Sequence, residues 1–391
     1  MKNWKFNLLT VLLLAGLSFA CQEHLDPDPE PAPAPKPEKI SYSLTPLSEM
    51  TLREKVGQLF NVRPEALDLT SSNMMTGASN VLTDGFSQYP CGGITLYAAN
   101  IKDPDQIIAF TRFLHGLGNY PLLCIDEEGG RVARIAGNSN FNVAKYASMA
   151  AVGATGDPKK AYEAGNSIGG YLSIYGFDVD FAPVSDVNTN PDNIVIGDRA
   201  FGSSPQLVAD MASQFLLGLQ KNTVEGCLKH FPGHGDTKAD SHYGYAESLK
   251  TWEEISACEM IPFRTGIEAG TQLIMTAHVC LPNVAGNVPS TLSPLILQDK
   301  LRGELGYEGL IISDSMAMGA ITQEYSTGEA AINALLAGVD ILLDPADYPS
   351  AFEAVVSAVQ SGRISEELID ERVDRILALK KRILMARGQL K

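Results

Sequence analysis

Eight short apolar runs, most separated by a stretch with helical periodicity, limit this chain to a narrow set of folds. They are VGQLFNV from Val56, GGITLYA from Gly92, PLLCID from Pro121, VDFAPV from Val179, GCLKHF from Gly226, QLIMTAHV from Gln272, GLIISD from Gly309 and VDILLD from Val339. Between them lie amphipathic segments such as DQIIAFTRFLHGLG, PQLVADMASQFLLGLQ and YPSAFEAVVSAVQ. Strands that alternate with helices form a parallel sheet with crossover connections. Eight such units predict an α/β fold, a (β/α)8 TIM-type barrel in a single domain. A doubly wound sheet is the alternative, but no G-x-G-x-x-G turn follows an early strand. The first run is ambiguous, because MTLREKVGQLF also reads as a helix. The last segment, SEELIDERVDRILALKKRI, carries apolar residues at Leu368, Ile369, Val373, Ile376, Leu377, Ile383 and Leu384. That spacing predicts a packing helix that closes the barrel.

The first 39 residues stand apart in composition. Lys2 and Lys5 precede an apolar stretch from Leu8 to Leu17, then small residues lead to Cys21. This is the pattern of a secretory signal over 1–20, and the stretch is too short for a spanning helix of roughly 20 residues. Cys21 directly after Ala20 resembles the lipid-attachment cysteine of bacterial lipoproteins, although Ser18 and Phe19 depart from that motif. A plain signal peptide cut near Ala20 and an uncleaved anchor are the alternatives. Residues 21–39 are rich in proline and acidic groups, without an apolar run, and predict an extended linker. The expected arrangement is a domain over 40–391 held at a bacterial membrane by Cys21, outside the cytoplasm.

The 45% hydrophobic content suffices for a large core without disulfides. Net charge is −16, of which the linker holds five acids against two lysines, so most of it belongs to the domain. Such a surface argues against nucleic acid and anionic lipid as direct partners and says nothing about a neutral substrate. Cys91, Cys124, Cys227, Cys258 and Cys280 are odd in number and lack a CxxC pair. They read as free buried thiols.

Chemistry in such a barrel sits on the loops after the C-terminal strand ends. Four polar clusters fall there: IDEEGGR after the third run, DVNTNPDNIVIGDRAFG after the fourth, KHFPGHGDTKADSH around the fifth, and SDSMAMGAI after the seventh. Asp314 ends an apolar strand, and a carboxylate there can attack a carbon electrophile or cap the next helix. Asp126, with Arg131 and Arg134 close by, and Arg199 in GDRAFG, could recognise hydroxyls or carboxylates, or form structural ion pairs. KHFPGHGDTKADSH admits three readings. As a metal site it lacks an H-E-x-x-H helix, and Pro232, Gly233 and Gly235 would break one. As acid–base machinery it offers Asp240 and His242 two residues apart, where a carboxylate can fix an imidazole tautomer. The third reading is a polar surface turn.

Taken together, KHFPGHGDTKADSH, IDEEGGRVARI, DVDFAPVSDVNTNP, IGDRAFG, IMTAHV and IISDSMAMGAI resemble glycoside hydrolase family 3, in its bacterial β-N-acetylglucosaminidase branch. The resemblance runs in order from about residue 45 to the C-terminus and implies the same barrel. It implies that Asp314 is the nucleophile of a covalent glycosyl-enzyme, with His242 as acid/base and Asp240 as its partner. Asp126, Arg134, Arg199, Lys229 and His230 match positions that bind the N-acetylglucosamine ring, while His234 and Asp236 shape the loop, whose glycines would let it move. The histidine replaces the second carboxyl of the usual retaining pair. Ser315 departs from the family pattern, where many members carry a second Asp. The implied reaction removes terminal N-acetylglucosamine from peptidoglycan fragments or related β-linked glycans. Phosphate as acceptor, another glycosidase activity of the family, and an inactive glycan-binding protein are the alternatives. No cofactor and no metal are implied, and a monomer is expected.

Overall fold

Each of the eight runs contains a strand. The strands are β1 Phe60–Val62, β2 Gly93–Thr95, β3 Leu122–Ile125, β4 Val179–Asp180, β5 Glu225–Phe231, β6 Leu273–Thr276, β7 Leu310–Ser313 and β8 Leu342–Leu343. Each pairs in parallel with its neighbour from β1 through β7, and β8 pairs with β1. A parallel bridge between Ile312 and Ile341 closes the ring, with the Ser313 N–H donating to the Ile341 carbonyl at 2.9 Å. The strands are buried along their length, as a sheet covered on one face by helices and on the other by its own interior requires. This is the (β/α)8 barrel expected from the alternation. The computed structural model describes residues 40–71, 73–237 and 246–391. The expected leader, Cys21, the linker, Asp240 and His242 lie outside the described residues.

The helices follow the apolar periodicity. Pro104–His115 buries Ile107, Phe110 and Leu114, and Pro205–Gln220 buries Val208, Met211, Phe215, Leu216 and Leu219 against the sheet. Tyr348–Gln360 starts at Asp347, whose carboxylate accepts from the Ser350 N–H. The first run is both things its sequence suggested. Leu52–Gln58 is helical, fixed by a capping box in which Thr51 and Glu54 bond each other's backbone N–H. Only Phe60–Val62 remains as strand. At the other end, Glu366–Ala386 is a single helix that buries Ile369, Val373, Ile376, Leu379, Ile383 and Leu384.

That helix carries Arg387 to the N-terminal pole of the barrel. Buried Asp178, just before β4, accepts from Arg387 Nη1 at 2.6 Å, Tyr120 Oη at 2.9 Å and the Leu123 N–H at 2.8 Å, and pairs with His115 Nε2 at 2.8 Å. Burial raises the Asp178 pKa, but His115 and Arg387 outweigh it and bring it down to about 2. Tyr42 packs its ring on His115 and Tyr120, and its backbone pairs with Gln389 and Lys391. The folded domain therefore begins and ends at the pole opposite the strands' C-terminal ends. The five described cysteines are free, Cys258 half-buried and the others buried.

Candidate active site

At the C-terminal ends of the strands, the barrel opens into a cavity of about 370 Å³. Its lining includes Asp126, Arg134, Arg199, Lys229, His230 and Asp314, so the described residues that the resemblance assigns to the nucleophile and to sugar binding meet there. The strand ends supply them in turn: Arg63 follows β1, Asp126 follows β3, Lys229 and His230 lie in β5, Asp314 follows β7 and Asp344 follows β8.

One wall is a network of alternating charges. Lys229 Nζ lies 2.9 Å from Asp126 Oδ1 and 2.6 Å from Glu128 Oε1. Arg199 grips the same Glu128 with both arms, Nε at 2.8 Å and Nη2 at 2.7 Å, and Arg134 Nη2 reaches Asp126 Oδ2 at 3.2 Å. Burial works against the charges of Glu128, Lys229 and Arg199, and their mutual pairing offsets it. Burial opposes ionisation of Glu128, but Arg199 and Lys229 hold its pKa well below the carboxylate range. Lys229 is held above the usual lysine value because Asp126 and Glu128 outweigh its burial. The pairs leave donors for a ligand. Lys229 has a third N–H, and the buried Arg134 Nε has no hydrogen-bond partner among the described residues.

His230 is fixed from behind. Its Nδ1 lies 2.7 Å from Asp186 Oδ2, while Arg199 Nη2 stands 3.5 Å from Nε2. A guanidinium only donates, so a neutral His230 carries its proton on Nδ1, toward Asp186. Asp186 also accepts the His234 N–H at 2.7 Å. Gly233 and Gly235, which were expected to let this loop move, also sit at points of close packing. Gly233 has φ +123°, and a Cβ on Gly235 would fall 2.0 Å from the Val187 carbonyl oxygen. The segment to Thr237 is buried and tied down, with Asn193 Nδ2 donating to the His234 carbonyl at 2.8 Å and Thr237 Oγ1 2.8 Å from His234 Nδ1. Asp236 accepts from Ser248 Oγ at 2.9 Å.

Asp314 stands on the facing wall, half-buried, with its own N–H donating to the Thr276 carbonyl at 3.1 Å. It does not cap a helix: the next one, Gly319–Thr322, is preceded by Met318. Its Oδ1 accepts the Ser315 N–H at 2.8 Å. Burial would raise its pKa, but His230, His278, that N–H and Lys229 together lower it, so the carboxylate is ionised at neutral pH. The peptide after Asp314 is held from two sides. His278 Nε2 lies 3.0 Å from the Ser315 carbonyl, and Ser315 Oγ donates to Asp344 Oδ2 at 3.0 Å. Asp344, at φ +48°, is in turn paired with Arg63 through both guanidinium arms.

Sequence reasoning missed Glu128, Asp186, His278, Asp344 and Arg63. Glu128 and Asp186 lie inside clusters already singled out, and Asp344 closes the apolar run VDILLD as Asp314 closes GLIISD. Arg131 belongs elsewhere. Its Nη2 donates to the carbonyls of Ile194 and Val195 at 2.9 and 2.7 Å, and its Nε pairs with Asp198, which pins the segment forming another side of the cavity. Among the described residues no group of His, Cys, Asp and Glu has the arrangement of a metal site. What the cavity offers is an ionised carboxylate across from a dense set of hydrogen-bond donors and acceptors, suited to a small polyhydroxylated ligand with an electrophilic carbon.

Comparison with known proteins agrees with this chemistry. The family model described as glycosyl hydrolase family 3 N terminal domain matches residues 51–379. Beta-hexosaminidase A of Pseudoalteromonas piscicida is 33% identical over 81% of this chain and 57% of its own length. A beta-hexosaminidase of Nitrosomonas eutropha is 37% identical over 68% of this chain and 77% of its own. Among solved structures, a glycoside hydrolase family 3 beta-N-acetylglucosaminidase from Paenibacillus sp. superimposes with a TM-score of 0.80 at 38% identity, covering 86% of this chain and 63% of that one. The chain thus spans about 60% of the length of two of these three relatives.

Proposed function

The chain belongs to glycosyl hydrolase family 3, and from that membership we propose that it is a retaining exo-β-N-acetylglucosaminidase acting on β-linked glycans. The observation that carries the reading is the ionised Asp314 carboxylate facing the Asp126–Lys229–Glu128–Arg199 network across a cavity of about 370 Å³. A carboxylate nucleophile must be deprotonated to attack, and the surrounding cations and N–H groups keep Asp314 so.

In the first step an Asp314 oxygen attacks the anomeric carbon as the bond to the leaving oxygen breaks. His242, as an imidazolium backed by Asp240, gives that oxygen its proton. In the second step the neutral imidazole takes a proton from water, whose oxygen displaces Asp314 from the anomeric carbon. Two displacements return the original configuration. Asp126, Arg134, Lys229, Arg199 and His230 bind the ring hydroxyls and acetamido group, and the unpartnered Arg134 Nε is the donor with most to gain from a ligand. Turnover of a chromogenic β-N-acetylglucosaminide, against the α-anomer and the β-glucoside, tests the reading. Repeating it with inorganic phosphate separates hydrolysis from phosphorolysis. No turnover of any of them by pure protein would favour a binding role.

The proposed setting is the bacterial envelope, with export by residues 1–20 and a lipid on Cys21. In support, Tyr42 enters the domain at the barrel pole opposite the cavity, so a tether upstream is joined at the end away from the substrate. Mass spectrometry of the mature N-terminus tests the lipid.

A further inference from the structure

The sugar cavity continues, between the segments after β1 and β8, into a wider groove of about 1040 Å³, and the two share Arg63, Tyr97 and Asp344. Their charges differ. The cavity sets four carboxylates against four cationic side chains, whereas the groove sets Glu65, Asp68, Asp344 and Asp347 against Arg63 alone, a net charge of −3. Two of these carboxylates are held in place by backbone N–H groups. Asp68 accepts the N–H groups of Thr70 and Ser71, and Asp347 caps the helix that starts at Tyr348. Exposed Met74 and Leu69 add apolar surface to the same groove, which suits the C–H face of a pyranose.

We propose that this groove is the site for the leaving part of the substrate and that it selects neutral or ammonium-bearing sugars over carboxylate-bearing ones. The preferred substrates are then chitin-type oligomers, partly de-N-acetylated ones included, and N-acetylglucosaminyl–muramyl fragments are poor ones. The proposal rests on the cavity holding a terminal N-acetylglucosamine. For a carboxylate roughly 7 Å from the net charge, screened Coulomb repulsion lowers its occupancy about tenfold at ~10 mM salt and about threefold at ~150 mM.

The test compares kcat/KM of the full chain for three disaccharides that share a terminal β-N-acetylglucosamine. Their second sugars are N-acetylglucosamine, glucosamine and N-acetylmuramic acid, and p-nitrophenyl β-N-acetylglucosaminide serves as a reference that leaves most of the groove empty. The expected result is a neutral-to-muramyl ratio near tenfold at low salt that shrinks as salt rises, with the glucosamine compound at least as good as the neutral one. Asp347→Asn, which keeps a capping side chain, lowers that ratio at low salt, and its melting temperature checks that the fold is intact. A muramyl compound cleaved as well as the neutral one, or a ratio indifferent to both salt and Asp347→Asn, overturns the groove assignment while leaving the glycosidase reading in place. Failure of the p-nitrophenyl compound itself to turn over overturns both.

Discussion

Ser315→Asp tests how the segment carrying Asp314 is held. Ser315 Oγ donates to Asp344 Oδ2 at 3.0 Å, and the Ser315 N–H donates to Asp314 Oδ1 at 2.8 Å. A carboxylate at 315 would face that of Asp344. Two unit charges about 4 Å apart, at an effective dielectric constant of about 20, repel by about 4 kcal/mol. Arg63 already neutralises part of Asp344, and its side chain is 45% exposed, so solvent screens the rest. A net penalty of about 2 kcal/mol remains, which lowers the melting temperature by a few degrees in a chain of this size. Like-charge repulsion raises the folded-state pKa of the pair. The penalty is therefore fully present above that raised pKa and is lost as pH falls through it toward the unfolded value near ~4. Thermal unfolding of Ser315→Asp at pH 7 and pH 4, alone and combined with Asp344→Asn, reads the effect directly. The expected pattern is a loss at pH 7 that vanishes at pH 4 and is recovered by Asp344→Asn. A Ser315→Asp protein as stable as the parent at pH 7, or one not helped by Asp344→Asn, would refute the reasoning.

Asp178→Asn leaves Arg387 and His115 without their buried counter-charge and should destabilise the protein by about 3–5 kcal/mol, measured by denaturant unfolding. In the parent, the depressed pKa of Asp178 predicts about 2 kcal/mol of stability that is present above pH ~4 and lost as pH falls toward 2. Arg134→Met should raise KM for an aryl β-N-acetylglucosaminide by roughly 10- to 100-fold with a smaller change in kcat, because it removes a ground-state donor; a change confined to kcat would contradict this. His242→Ala should slow natural disaccharides by about 100-fold or more while sparing aryl glycosides with good leaving groups. Equal losses on both would remove His242 from the acid role.

The barrel was legible because its strands, buried on both faces, must be written as continuous apolar runs, and several of those runs end in residues that line the cavity, Asp126, Asp314 and Asp344 among them. Asp314, Asp126 and Lys229–His230 could be found that way. The partners that set their chemistry could not. Glu128 joins Lys229 and Arg199 across more than 70 positions of sequence, Asp186 reaches His230 across 44, and Asp344 reaches Ser315 across 29. Such pairings follow from the closure of the ring, and although the residues themselves lie in polar clusters or at strand ends, no local pattern tells which of them meet. The first strand was blurred because a capping box at Thr51–Glu54 turns most of an apolar run into helix. The close packing at Gly233 and Gly235 was hidden for a similar reason. Glycine marks backbone freedom and close approach alike, and only the Val187 carbonyl beside Gly235 distinguishes them.

The proposed mechanism requires Asp314 to form a covalent bond to the anomeric carbon. Rapid acid quenching of the full chain during turnover of an activated aryl β-N-acetylglucosaminide, followed by intact-mass and peptide mass spectrometry, measures this directly. The account predicts a protein fraction heavier by one N-acetylhexosaminyl group, located on the peptide containing Asp314 and absent from Asp314→Ala. Sustained turnover by Asp314→Ala, or an adduct carried on another residue, would contradict it.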